Sequence, residues 1–350
     1  MADVTGRVLG GHELPTPPGQ RGDGVACARA ALLGALAPTG LSLGDLRRVV
    51  IGTPGAIDPD TGQLEYAPEL VRWQGPDLLA RLQAGLGVPV DVENDVNVVA
   101  MAEYDHGAAR GAPAFALLWV SEGIGLAYVQ NGVPHRGATG GAGEVGYMPV
   151  PGQPVFRDVR ETGDGGYQCL AGGPAVRRLL REYGFTGRDA ATAVGRAVAV
   201  LAAQDTRPGG AARQAASTQQ AGQAAAALDA PDTRSGGATG GATGEAARRA
   251  ASAGRAERAG AALDELASRL ATGLAAITAV LDPGLVVLAG DVLLAGAEPL
   301  RSRLQAELHT IGIGRPRLEL CSAEGNPVLL GALHLALSAA RKAVFGRAAP

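Results

Sequence analysis

Short apolar runs closed by glycine or polar residues alternate along this chain with longer stretches in which apolar residues return every three or four positions. The first pattern predicts buried strands, the second helices packed by one face. Residues 47–52, 88–92, 114–120 and 285–290 are the strand-like runs, rich in Val, Leu and Ile. Residues 126–129 and 317–321 add two more, and residues 2–9 read as one strand end, a Thr5-Gly6 turn and a second strand. Helices are predicted over 25–36, 77–85, 96–103 (stopping at Gly107) and 328–344. Leu263, Leu266, Leu270, Leu274, Ile277 and Leu281 form the buried stripe of another. Turn residues punctuate the pattern: a Pro- and Gly-rich loop at 14–24, Asp60-Thr61-Gly62, and Asn131-Gly132, a strong hairpin signal. Strands taking turns with helices predict an α/β protein.

One region departs from this rhythm. Residues 204–260 are Ala, Gly, Gln, Ser, Thr and Arg with almost no large apolar side chain. Such a segment buries too little surface to offset its ordering entropy, so it is expected to be a disordered insertion.

Composition narrows the partners. A chain of 350 residues is long enough for two domains and a sizeable core. Its net charge of −3 and pI near 6.0 leave no electrostatic footprint for nucleic acid. Lys342 is the only lysine among 31 basic residues, a bias that reflects base composition more than function. Cys27, Cys169 and Cys321 are far apart and odd in number, which argues against a disulfide framework. No signal peptide and no apolar run of about 18 residues is apparent, so a cytoplasmic protein with no membrane partner is expected.

Candidate chemistry centres on Glu93-Asn94-Asp95, which falls between the strand at 88–92 and the helix at 96–103. Free backbone N–H groups cluster at such a junction, so either Asn94 or Asp95 is explained by helix capping alone. Ligand binding is the competing explanation. Gly52-Thr53-Pro54-Gly55 follows a buried strand, where glycine permits either a plain turn or close approach of backbone to a ligand. Glu144 is the single carboxylate of the glycine-rich loop 137–146, where a solvated acid is the commoner outcome.

The order and spacing of these pieces carry a resemblance. Gly52-Thr-Pro-Gly55, Ala67-Pro68 with Trp73, Glu93-Asn-Asp95, Glu103, Gly107-Ala-Ala-Arg110, Gly123-Ile-Gly125 and Ala142-Gly-Glu-Val-Gly146 follow one another along the chain. Leu281-Asp-Pro283, Gly290 and Gly331-Ala332 come later. The chain so resembles the ROK family (repressors, open reading frames and sugar kinases) from about residue 2 to 345. The resemblance implies the two-lobed actin-like ATPase (ribonuclease-H-like) fold. Residues 1–112 with the closing helix 327–350 would form the N-terminal lobe, and residues 113–326 the second. It implies a sugar held by Asn94, Asp95 and Glu144, with Thr53, Gly55 and Gln168 completing the pocket. Glu122, Gly123, Gly125 and Gly290 would fall on the nucleotide side. In the kinases the acid corresponding to Asp95 accepts the proton of the attacking hydroxyl.

Several positions depart from the kinases. The family's first hairpin, with its phosphate loop, is missing here, which would leave the N-terminal lobe incomplete and the edge of the strand at 47–52 open; either the true start lies upstream, or the lobe is rearranged or marginally stable. A Thr of the second phosphate loop is replaced by Glu122, and two like charges about 4 Å apart repel by about 4 kcal/mol at an effective dielectric of about 20. Tyr147 stands where the family's zinc-binding His would be, with only Cys169 nearby, so no zinc is expected. Gln168 takes the place of a sugar-binding Glu. These changes fall on the nucleotide and metal side, so the expected function is the sugar-sensing portion of a transcriptional regulator, with no cofactor and no DNA binding by this chain alone. The alternative is an ATP-dependent sugar kinase using Mg-ATP and Asp95 as base. The resemblance also implies dimerisation through the second lobe.

Overall fold

The computed structural model describes the chain except residues 16–21, 68–69, 157–164, 206–239 and 347–350. Two sheets are built around one helix, α3 (Asp95–His106). Val96 to Glu103 are all buried, an eight-residue run without a solvent face. A helix apolar on all sides has to be covered on all sides, and here it is.

On one side lies a two-stranded parallel sheet of β1 (Val49–Thr53) and β4 (Val90–Asn94), in a register that sets Thr53 beside Asn94 at the strands' carboxyl ends. Its outer face is covered by α1 (Gly24–Leu36) and α2 (Leu78–Leu86), with Leu78, Leu82 and Leu86 packed on Val49 and Val90. Each fully buried leucine of this kind contributes about 1.5–3 kcal/mol. The short hairpin of β2 (Ala56–Ile57) and β3 (Leu64–Glu65) closes over the Asp60-Thr61-Gly62 turn, as the sequence predicts.

On the other side is a five-stranded sheet in the order β7-β6-β5-β8-β9. Its strands are β5 (Ala114–Val120), β6 (Ile124–Gln130), β7 (Val133–Pro134), β8 (Leu285–Ala289) and β9 (Arg317–Leu320). β8 runs parallel to both β5 and β9, while β6 is antiparallel to its neighbours. Strand alternation sorts the side chains of β5. Phe115 and Leu117 face α3, while Ala116, Leu118 and Val120 join the core beneath the helical layer. That layer comprises α4 (Gly166–Ala171), α5 (Gly173–Glu182), α6 (Ala190–Asp205), α7 (Gly240–Leu281) and α8 (Asp291–Ile311). Asn131 and Gly132 both have positive φ (51° and 73°), the conformation their hairpin turn requires.

Helix α9 (Pro327–Phe345) lies along α3 and β1. The contact is so close that a Cβ on Gly331 would sit 1.7 Å from the carbonyl oxygen of Val98. By length and composition α9 is apolar enough to cross a membrane, although no such run is expected from the sequence pattern. His334, Arg341 and Lys342 interrupt it, and His334 Nδ1 meets Asp105 of α3 at 2.9 Å.

Four points differ from the sequence expectations. The strand at 88–92 is shifted to Val90–Asn94, because Glu93 and Asn94 extend the parallel ladder opposite Gly52 and Thr53. The Ala/Gly-rich stretch 204–260 is not disordered throughout: α6 continues to Asp205 and α7 starts at Gly240, with Ala256 and Ala259 buried. Once the leucine stripe anchors α7, alanine extends it cheaply and packs closely against α6. Residues 206–239 lie outside the described residues. Helix α8 was not foreseen, since a break at Ala297 (φ 45°) beside Pro299 hides its period. Residues 2–9 make a single antiparallel bridge, Ala2 to Val8, where strands were expected. Among the described residues, β1 pairs with β4 alone.

Candidate functional site

Strands β1, β4 and β5 all end toward one cavity of about 420 Å³. Crevices outside the carboxyl ends of strands are the usual ligand sites of α/β folds. Pro54, Gly55 and Tyr66 wall one side, and Asn94, Asp95 and Val96 enter from the start of α3. Trp119, Ser121, Glu122, Gly123, Ile124, Gly125 and Leu126 come from the β5–β6 turn, and Ala142, Gly143 and Glu144 from the glycine-rich loop. Seven of the predicted site residues therefore meet: Gly55, Asn94, Asp95, Glu122, Gly123, Gly125 and Glu144.

Asn94 carries both of the roles weighed from sequence. Its Oδ1 accepts from the backbone N–H groups of Val96 (2.9 Å) and Asn97 (3.2 Å), so it caps α3. Its Nδ2 donates to the Gly55 carbonyl at 3.0 Å, which ties the loop after β1 to the helix start. One amide hydrogen is left for a ligand. Gly55 has φ 74°, and a Cβ there would lie 2.1 Å from the Glu65 carbonyl oxygen, so no other residue fits. Asp95 is the first residue of α3, where the helix dipole favours its charge.

Glu144 reaches the cavity because its loop folds back on β6, with the Leu126 N–H donating to the Gly143 carbonyl at 2.9 Å. Burial, reinforced by the nearby Asp95 carboxylate, pushes the Glu144 carboxyl up from 4.5 to about 7. The solvated acid considered from sequence is thus a partly buried one facing a second acid.

Three predicted residues lie elsewhere. Thr53 is buried and its hydroxyl donates to the Pro54 carbonyl at 3.1 Å. Gly290, with φ 88°, starts α8, and a Cβ there would meet the Val120 carbonyl oxygen at 2.3 Å. Gln168 spends both ends of its amide on the β5–β6 turn: Oε1 accepts from the Ile124 N–H (2.9 Å) and Nε2 donates to the Glu122 carbonyl (2.7 Å). It braces the cavity wall and does not line it.

Sequence reasoning missed the support beneath the site. Glu93, 6% exposed, accepts from Asn97 Nδ2 at 2.9 Å and from Arg136 Nε at 2.7 Å, so it joins β4 to the loop after β7. Nothing in the sequence marks Arg136 as its partner. Glu103 is fully buried and accepts from the backbone N–H groups of Ala108, Ser322 and Ala323 (2.8–3.2 Å) and from the Cys321 thiol (2.9 Å). Its place in the motif string was the available signal. Burial and the Glu103 carboxylate push the Cys321 thiol up to about 12.

Among the described residues, no group of three or more His, Cys, Asp or Glu side chains is placed to hold a metal ion. Tyr147 is 4.8 Å from Phe156 and 6.1 Å from Tyr66, centroid to centroid. A larger hollow of about 520 Å³ lies beside Tyr128, Val133, His135 and Arg136. It gathers no carboxylate or carboxamide pair, so the smaller cavity is the better candidate on chemistry.

The comparisons agree on one family. A model described as "ROK family" matches residues 3–339. A glucokinase from Halalkalibacterium halodurans is 36% identical over 109 residues, 31% of this chain and 33% of that protein. The chain spans less than half the length of the curated relatives it matches. The crystal structure of a ROK hexokinase from Thermus thermophilus superposes with a TM-score of 0.61 at 26% identity, covering 91% of this chain and 87% of that one. A ROK family transcriptional regulator, a homologue of the E. coli MLC protein, gives 0.62 at 15% identity over 96% and 74%, a likeness of fold.

Proposed function

This chain belongs to the ROK family, and on that premise we propose that it is the sugar-binding sensor portion of a cytoplasmic transcriptional regulator, without kinase activity. The observation that carries the proposal is the cavity's lining. Asn94, Asp95 and Glu144 meet there, and the adjoining β5–β6 turn presents Glu122. Asp95 and Glu144 supply acceptors for sugar hydroxyls, and the remaining Asn94 N–H supplies a donor. Glu144, titrating near 7, can also donate when protonated. Tyr66 and Trp119 give apolar walls for the ring's C–H faces. Among the described residues of that lining, a triphosphate would face three acids and no basic residue, which supports the sensor reading unless Mg²⁺ bridges acids and phosphate.

Sugar binding would act by preferring one arrangement of the two sheets over another, since both contribute walls to the cavity. Titration calorimetry with a panel of hexoses tests the reading: heat of binding is expected for at least one, weakened by Asn94→Ala. A folded sample that binds none would overturn it. The second reading, a sugar kinase, is favoured by Asp95 lining the same cavity as the Gly123–Gly125 turn. A coupled ADP-release assay separates the two: sugar-dependent turnover that Asp95→Ala abolishes would establish the kinase.

A further inference from the structure

We propose that Arg136 is a positioning residue of the sugar site: through Glu93 it ties the glycine-rich loop to the start of α3 and so sets where Glu144 enters the cavity. The inference rests on the sugar-binding reading above and adds to it what fixes the cavity's width. One buried carboxylate holds both sides. Glu93 Oε1 accepts from the Asn94 backbone N–H at 3.1 Å and from Asn97 Nδ2 at 2.9 Å, which fastens it to the first turn of α3. Glu93 Oε2 is taken by Arg136, whose Nε and Nη2 lie 2.7 and 2.6 Å away. Glu93 belongs to β4 in the first sheet, whereas Arg136 follows β7 in the second. The Ala142 N–H donates to the Arg136 carbonyl at 3.2 Å, so the loop closes back on the residue that Glu93 holds.

The tip of the loop is fitted to the first sheet as well. Gly140 has φ 80°, and a Cβ there would lie 2.7 Å from the carbonyl oxygen of Ile57 in β2. A Cβ on Gly141 would come within 3.1 Å of the Tyr66 ring. The chain then returns to the second sheet, where the Gly143 carbonyl accepts from the Leu126 N–H, and Glu144 follows directly. The loop thus leaves one sheet, leans on the other at Glu93, Ile57 and Tyr66, and comes back carrying the acid. A hydrogen bond from a guanidinium to a carboxylate is among the strong ones, and Glu93, 6% exposed, has little water to replace it. The Arg136 side chain is half in solvent, which screens the pair and limits its share in overall stability. Its consequence is geometric: without Arg136 the loop loses its charged tie to the residue that carries Asn94 and Asp95.

The test uses the full chain, Arg136→Gln, Arg136→Lys, and the double variant Glu93→Gln/Arg136→Gln, which leaves no buried charge unmatched should the single variant fold poorly. Amide hydrogen exchange is followed at Leu126 and Ala142, whose N–H groups hold the loop, and at Val287 in the middle of the second sheet as control. In the Gln variants, exchange at Leu126 and Ala142 is expected to quicken about tenfold while Val287 stays as it was. Arg136→Lys keeps the charge but not the planar head, and should fall between. A hexose bound by the wild type should bind the double variant about tenfold more weakly, within the range for residues that act through others. Exchange at Leu126 and Ala142 that is unchanged, or that rises only in step with Val287, would overturn the inference, as would undiminished affinity in a variant whose loop has loosened. A wild type that binds no hexose would remove the sugar-binding reading, while the exchange rates would still decide whether Arg136 places the loop.

Discussion

Glu144 offers a direct measure of how far the cavity departs from an ordinary surface. Its carboxyl is raised from 4.5 to about 7, first by burial and then by Asp95. A raised acid binds its proton more tightly in the folded chain than in the unfolded one. Stability is therefore greatest below pH 4.5 and is lost as pH climbs through 7. The displacement corresponds to about 3 kcal/mol, all of it expressed between those two values. Glu144→Gln removes the titration while keeping the side chain's size. Urea unfolding of both proteins from pH 5 to pH 8 should show the wild type losing ground to the variant by roughly 2–3 kcal/mol as pH rises. Carbon-13 NMR of the labelled carboxyl would place the midpoint itself. A difference between the two proteins that stays flat over this range, or a Glu144 midpoint near 4.5, would refute the picture of a partly buried acid facing Asp95.

Other substitutions test the supports of the site. Glu103→Ala strips the acceptor from three backbone N–H groups and a thiol in a fully buried place, and should cost about 3–5 kcal/mol in chemical denaturation. Gly331→Ala drives a methyl group to 1.7 Å from the Val98 carbonyl and should lower stability by about 3 kcal/mol or more, read as a fall in the urea midpoint. Asn94→Ala should cost about 1–2 kcal/mol by loss of the α3 cap and the tie to Gly55, and weaken sugar binding in calorimetry.

Much of this arrangement was legible in the chain because its strongest signals are local. The period of Leu263 to Leu281 marks a helix face, and Asn131-Gly132 fixes a hairpin. Gly55, Asn94, Asp95 and Glu144 of the motif string line one cavity in the fold, with Glu122 beside them. What remained hidden depends on contacts between distant segments. Arg136 reaches Glu93 across 43 positions, and Glu103 gathers donors from 218 to 220 positions away. A carboxamide at position 168 suits a ligand and a backbone turn equally, and in the fold both ends of the Gln168 amide engage the β5–β6 turn. The alanine-rich start of α7 is hidden for a related reason. Its low-hydrophobicity window taken alone predicts disorder, whereas the stripe that follows it supplies the anchor.

The bracing of the β5–β6 turn bears on whether the cavity could admit a nucleotide by local adjustment. A loosely held turn could swing the Glu122 side chain outward and take its charge away. This one is fixed from several sides. The Ser121 N–H donates to the Gly123 carbonyl at 2.9 Å, the Gln168 amide clasps Glu122 and Ile124, and the Gly173 N–H reaches the Glu122 carbonyl at 3.3 Å. Gly173 itself has no room for a side chain, since a Cβ would lie 2.6 Å from the Ser121 carbonyl oxygen. Moving the turn would strand several backbone groups, each worth about 1 kcal/mol or more when unpaired. The root of Glu122 is therefore held beside the cavity by the same contacts that shape the wall, and the lone freedom left is rotation of its exposed side chain. That freedom can soften the repulsion of an incoming phosphate but supplies no positive charge to attract one.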